Sequence, residues 1–135
     1  MGKINYSRVL IGGIAAGILL LAFDMIGMPV LGFDMEAWAT AHNLTQPSMA
    51  VWVISSLLFG VLIAWLYAAI RTRFGAGWRT AAIAAAFVWA FFTVVYGTLT
   101  AWGLYTQAEM LRFAAWGVIQ LFVATYAAAW LYKEA

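Results

Sequence analysis

The chain contains no cysteine. Disulfides, thiolate metal sites, iron–sulfur clusters and cysteine nucleophiles are therefore all excluded. Histidine occurs once, at His42, which excludes haem held by two histidines of the chain and a zinc helix of the HExxH type. The aspartate pair or Ser/His pair that intramembrane proteolysis would require within apolar segments is also missing. Charge is scarce: Asp, Glu, Lys and Arg make up 9% of the residues, against about a quarter in a soluble domain. Apolar residues make up 67%, against about half. So few charges cannot cover a surface that faces water. An ordinary soluble enzyme, a disordered tail and a secreted disulfide scaffold are excluded. An integral membrane protein remains, with residues 1–135 as a single membrane domain. No set of cofactor ligands is discernible, so no cofactor is expected.

What the chain does have is long runs without charge. About 20 apolar residues cross a hydrocarbon core of ~30 Å. Such runs are found at approximately 6–28, 48–70, 80–101 and 109–132. In lipid their backbone groups must be satisfied within the segment, so each is expected to be a helix. Pro29 is expected just past the first, and Pro47 suits the entry to the second. Gly75, Gly77 and Gly103 fall between the later ones. The first run follows Lys3 and Arg8 as a signal peptide would, but no small-x-small cleavage pattern follows Phe23, so it is expected to be retained.

The fold expected is thus all-α: a four-transmembrane-helix up-down bundle. Basic residues orient it, because cytoplasmic ends carry the excess of Lys and Arg. Lys3, Arg8, Arg71, Arg73, Arg79 and Lys133 fall on one side and only Arg112 on the other. Both termini are therefore expected to be cytoplasmic. The acidic residues run oppositely, with Asp24, Asp34, Glu36 and Glu109 outside and Glu134 inside. The net charge of +2 reports this topology, and no nucleic-acid partner is expected. Tryptophans near the helix ends form a belt at both interfaces, with only Trp89 near mid-span. In the outer loop, 32–47, Met35, Trp38, Ala39 and His42 fall at helical spacing. They predict a short amphipathic helix on the membrane surface; an irregular loop anchored by Trp38 is the alternative. The repeated Trp-Leu-Tyr at 65–67 and 130–132 hints at a duplicated hairpin, though interfacial anchoring accounts for it.

Asp24 is the sharpest feature. Sixteen residues beyond Arg8 put it ~24 Å along the first helix, inside the outer third of the membrane. An ionised carboxylate there is costly and normally pairs or lines a cavity. Arg112, ~31 Å up the fourth helix, is the cation available on that side, and an Asp24–Arg112 contact is expected. Glu109, three residues from Arg112, competes for it. The pair either fixes helix register or forms a proton- or ion-responsive site. Ser55, Ser56, Thr93, Tyr96 and Thr100 share the outer half, and Gln120 lies near the middle. A polar cluster of Ser55, Thr93, Tyr96 and Gln120 lining an outward cavity is one reading. Hydroxyls bonded to their own i−4 carbonyls, with Gln120 bonded to one neighbouring helix, is the other. Gly13 and Gly17 form a GxxxG packing face, either inside the bundle or between two copies. Lone His42 reads as a solvated or interfacial side chain. Gly75-Ala76-Gly77 lacks the ending of a phosphate loop and reads as a basic turn at lipid headgroups.

The stretches Asn5-Tyr6-Ser7-Arg8 and Trp65-Leu66-Tyr67-Ala68-Ala69-Ile70-Arg71-Thr72-Arg73-Phe74-Gly75-Ala76-Gly77 resemble small four-helix bacterial inner-membrane proteins of about this length. That resemblance implies a multi-pass location in the bacterial inner membrane and assigns no activity or functional residue. Four helices with a carboxylate in the first are also similar in layout to the small multidrug resistance transporters. Those carry a deeper Glu within a motif not found here.

The leading expectation is a non-enzymatic small membrane subunit or scaffold, packing against partner helices in an inner-membrane complex of respiratory or photosynthetic type. Its partners would be membrane lipids and other membrane subunits, or a second copy of itself. The alternative is a small proton-coupled transporter or channel acting as a homodimer through Asp24. A lipid or quinone site lined by Trp89, Trp116 and Tyr96 ranks third.

Overall fold

The computed structural model describes residues 3–132. Lys133 and Glu134, which enter the charge argument above, lie outside the described residues. Among the described residues five helices follow one another: α1 Tyr6–Val30, α2 Met35–Ala41, α3 Met49–Phe74, α4 Trp78–Ala101 and α5 Gln107–Leu131. All but α2 are long and apolar enough to cross a membrane. Among the described residues there is no strand.

Local chemistry sets the ends. The Asn5 side chain accepts from Arg8 N at 3.2 Å and opens α1. Asp34 does the same for Ala37 N at 3.0 Å and opens α2. Pro29 does not stop α1. It sits in the last turn, and the helix closes one step later with Leu31 N donating to Gly27 O at 2.8 Å. Gly32 then turns the chain at φ +66°, a conformation that costs glycine little. α3 runs on through Arg71 and Arg73, whose charges suit a helix C-terminus, and ends at Gly75 with φ +84°. α5 begins earlier than its uncharged run because Thr106 and Glu109 form a capping box. Thr106 N donates to Glu109 Oε2 at 2.7 Å, and Glu109 N donates to Thr106 Oγ1 at 3.2 Å.

α1 packs against α3 and α5, α5 against α4, and a lighter seam joins α3 to α4. Gly13 and Gly17 lie directly on α3: a Cβ at Gly17 would come 2.6 Å from Leu57 Cα, and one at Gly13 2.5 Å from Val61 Cα. Gly60 of α3 sits between Gly13 and Gly17. On the next face Gly12 meets Ala128 of α5. The GxxxG face is thus spent inside the bundle, where backbones approach and gain dispersion contacts that lipid does not offer.

Packing is uneven along the bundle. The buried residues of α4 run only from Thr80 to Val88, and those of α5 only from Leu121 to Ala128. These are the halves near the Gly75 turn. Small residues there, such as Ala16, Ala84 and Ala124, are fully enclosed. That end is also tied by polar contacts: Thr80 Oγ1 donates to Gly75 O at 2.6 Å, Gly77 N to the Tyr67 hydroxyl and Asn5 N to the Tyr132 hydroxyl. Tyr67 and Tyr132, the ends of the two Trp-Leu-Tyr stretches, meet edge to face with centroids 6.0 Å apart, and the Arg71 guanidinium lies over Tyr132. Toward the α2 end the helices separate. Large apolar side chains such as Leu10, Ile18, Leu58 and Phe91 point outward, as lipid-facing positions do.

Candidate functional site

The hollow at the α2 end is a half-enclosed cavity of about 350 Å³, within the usual range of small-molecule sites, ~300–1,000 Å³. α1 supplies Leu20, Asp24 and Met28; α3 supplies Trp52, Ser55, Ser56 and Phe59. α4 supplies Trp89, Phe92, Thr93 and Tyr96, and α5 supplies Phe113, Trp116, Gly117 and Gln120. The polar cluster read from the sequence, Ser55, Thr93, Tyr96 and Gln120, lines this one space together with Asp24.

The register of α1 against α5 sets the position of Asp24. Arg112 bonds Leu31 O, the Trp116 indole bonds Phe23 O, Gln120 bonds Leu20 O, and Gly12 meets Ala128, descending the two antiparallel helices in step. Gln120 is therefore level with Asp24, and its Nε2 donates to Asp24 Oδ1 at 2.6 Å. Arg112 is two helical turns further along α5, and its guanidinium donates to Leu31 O at 3.2 Å, at the α1 C-terminus. The expected Asp24–Arg112 pair is not made. Free carbonyls and the negative end of the α1 dipole draw the cation to the end of α1, where it stays exposed. Glu109 does not take Arg112 either, because its carboxylate is engaged by Thr106. An amide donor, not a charge, pairs with Asp24, at Oδ1.

Walls and roof are aromatic. Trp89 Nε1 donates to Ala114 O at 2.8 Å and Trp116 Nε1 to Phe23 O at 3.2 Å, so both indoles are held against neighbouring helices. Gly27 makes room for the second: a Cβ there would lie 2.5 Å from Trp116 Nε1. Phe59 and Phe92 meet edge to face, centroids 5.0 Å apart, across the light seam between α3 and α4. One turn along α3 on that face, Ser55 lines the cavity and is exposed.

Over the α2 end lies a lid of rings from the two loops. Trp38 stacks on Tyr105 at 5.1 Å with an interplanar angle of 8°, and its indole donates to Leu104 O at 2.7 Å. Phe33, Tyr96 and Phe113 pack edge-on or tilted around Tyr105. Burial holds the Tyr105 phenol above its ordinary pKa, and the Glu109 carboxylate pushes the same way, so this ring stays neutral. His42 stays outside the cavity, with Nδ1 2.7 Å from Trp38 O and its ring against Trp38.

Both readings of the hydroxyls hold in part. Thr93 and Thr100 donate to their own i−4 carbonyls, Trp89 O and Tyr96 O, and Gln120 reaches one neighbouring helix. Thr93 and Gln120 nonetheless line the space. Phe33, Tyr105 and Phe113 were not legible as site residues, because two of them sit in loops without periodicity. Gly27 and Gly117 carried a signal: isolated glycines inside a span mark close approach or open room. No family model, curated protein or solved structure matches the chain, so the chemistry of the cavity carries its functional reading.

Proposed function

We propose that this chain is a small-molecule carrier of a bacterial inner membrane, crossing it four times with both termini cytoplasmic, and that the Asp24 cavity is its binding site. In this orientation the cavity lies in the outer leaflet, and the light α3–α4 seam beside exposed Ser55 faces lipid. A substrate already dissolved in the bilayer enters there. Asp24 is the group on which substrate and proton exchange.

The single observation that supports this reading most is the contrast between the two halves of one bundle. Alanine and glycine pack the Gly75 end solidly, while the α2 end encloses about 350 Å³ around a carboxylate. A scaffold needs no such space, and leaving apolar walls without contacts forfeits packing energy. The subunit reading draws on the apolar, aromatic-rich outer surface, which lipid alone accounts for. A homodimer is not needed to build the site. One chain encloses it, and Gly13 and Gly17 are already occupied by α3.

Native mass spectrometry of the protein extracted from its own membrane tests the proposal. One small-molecule adduct per chain is expected. It should vanish in Gly117→Trp, where the new ring enters the space in front of Trp89, whose Cδ1 lies 3.5 Å from a Cβ at this position. Identical spectra for wild type and variant, with phospholipid as the only adduct, would contradict it.

A further inference from the structure

The chemistry of the cavity selects among ligands. Its lining carries one acidic side chain, Asp24, and no basic one. Most of its N–H donors are already committed: the Trp89 and Trp116 indoles to Ala114 O and Phe23 O, and Gln120 Nε2 to Leu20 O and Asp24 Oδ1. The Thr93 hydroxyl is likewise given to Trp89 O. Two acceptors are left on this bonded pair, Asp24 Oδ2 and Gln120 Oε1. Neither has a hydrogen-bond donor among the described residues, and neither is sealed from the open space. Around them stand the rings of Trp52, Phe59, Phe92 and Phe113.

One carboxylate, the free acceptor of the amide bonded to it and several ring faces favour a cation that carries N–H. The rings add attraction for a desolvated ammonium, and the surroundings of low dielectric strengthen its pairing with the carboxylate. An anion would meet repulsion from Asp24. A quinone or other neutral carbonyl compound would find the Trp89, Trp116 and Gln120 donors taken, and the Trp52 indole and lining hydroxyls left to it would not offset the carboxylate. Entry from the bilayer past exposed Ser55 adds the requirement that the body partition into lipid.

We propose that the cavity binds a protonated amphiphilic amine, a primary or secondary ammonium on an apolar or aromatic body, donating to Asp24 Oδ2 and Gln120 Oε1. This inference rests on the cavity being the binding site. It adds the ligand class and which atoms read it.

The test uses three probes of one shape: naphthylethylamine, naphthylethanol and naphthylethyl-trimethylammonium. Saturable binding to the full chain in lipid nanodiscs is measured by equilibrium dialysis against empty nanodiscs, for wild type, Asp24→Asn and Gly117→Trp. Wild type is expected to bind the amine at least about tenfold more tightly than the alcohol. The quaternary ion, which has no N–H, should bind more weakly than the amine. Asp24→Asn should lose the preference for the amine while still binding the alcohol, which also shows that the variant is folded. Equal binding of amine and alcohol to wild type, or a preference that survives Asp24→Asn, would overturn the amine inference and leave the cavity reading standing. A quaternary ion binding as tightly as the amine would overturn the N–H pairing. No saturable binding of any probe, or binding unaffected by Gly117→Trp, would overturn the cavity reading itself.

Discussion

Gly60→Leu is expected to leave no monodisperse protein after extraction in mild detergent. A side chain at this position would project into the backbone of α1, against Gly13 O and Gly17 N. Overpacking a core costs about 1–3 kcal/mol where side chains can move aside. Here the opposing atoms are main chain, locked in a helix, so α1 and α3 must separate. That loss is not confined to one contact. The α1–α3 seam is the most extensive in the bundle, and it fixes the face of α1 that meets α5. Gly97→Leu is the control, because a Cβ at Gly97 meets nothing within 4 Å. Size-exclusion profiles and thermal unfolding of the two variants side by side give the answer. A Gly60→Leu protein melting close to wild type would show that the helices are not packed through this glycine seam.

The second large effect concerns the pair at the floor of the cavity. Gln120→Leu removes the donor 2.6 Å from Asp24 Oδ1 and leaves the carboxylate in an apolar wall. Leaving a buried acceptor unsatisfied costs about 1–3 kcal/mol, more when the group is charged. A lower unfolding temperature is therefore expected. Adding Asp24→Leu to the same chain should recover most of the loss, since an apolar pair of similar shape has nothing left to satisfy. The double variant should then be folded yet devoid of the small-molecule adduct. A Gln120→Leu protein as stable as wild type would mean that water or an unseen partner, and not this amide, satisfies Asp24. Additive losses in the double variant would mean that the two side chains act independently.

Composition and run length carried the helices, because crossing lipid leaves few alternatives: an uncharged run long enough to span has to satisfy its own backbone. They also carried half of the site. Asp24, Ser55, Thr93, Tyr96 and Gln120 are polar residues in segments where polarity is costly, and each falls in the same stretch of its helix. Which of them touch was not legible. Asp24 is level with Gln120 rather than Arg112 because of the register of α1 against α5, and that register is set by Gly12 and Gly27 meeting Ala128 and Trp116 across the bundle. Charge complementarity pointed to Arg112; the free carbonyls at the α1 C-terminus, beyond Pro29, drew it away. The aromatic lid was hidden for a different reason. Phe33 and Tyr105 lie in connecting loops, and their stacking with Trp38 depends on two loops from distant parts of the chain coming together. The helix start at Thr106-x-x-Glu109 was missed by a boundary drawn from the apolar run at 109, and it accounts for Glu109 being unavailable to Arg112.

The account depends on a bundle solid at the Gly75 end and hollow, polar and reachable at the α2 end. With no native cysteine in the chain, single-cysteine labelling measures this directly. Thr93→Cys and Gly117→Cys place a thiol on the cavity wall, and Ala84→Cys and Ala124→Cys place one where the native side chain is fully enclosed. A thiol reacts as its thiolate, which needs water. In native membrane vesicles, N-ethylmaleimide should label the two cavity positions at least about tenfold faster than the two enclosed ones. Equal protection of all four positions would mean that the α2 end is as closed as the rest, and there would be no site for a ligand to occupy.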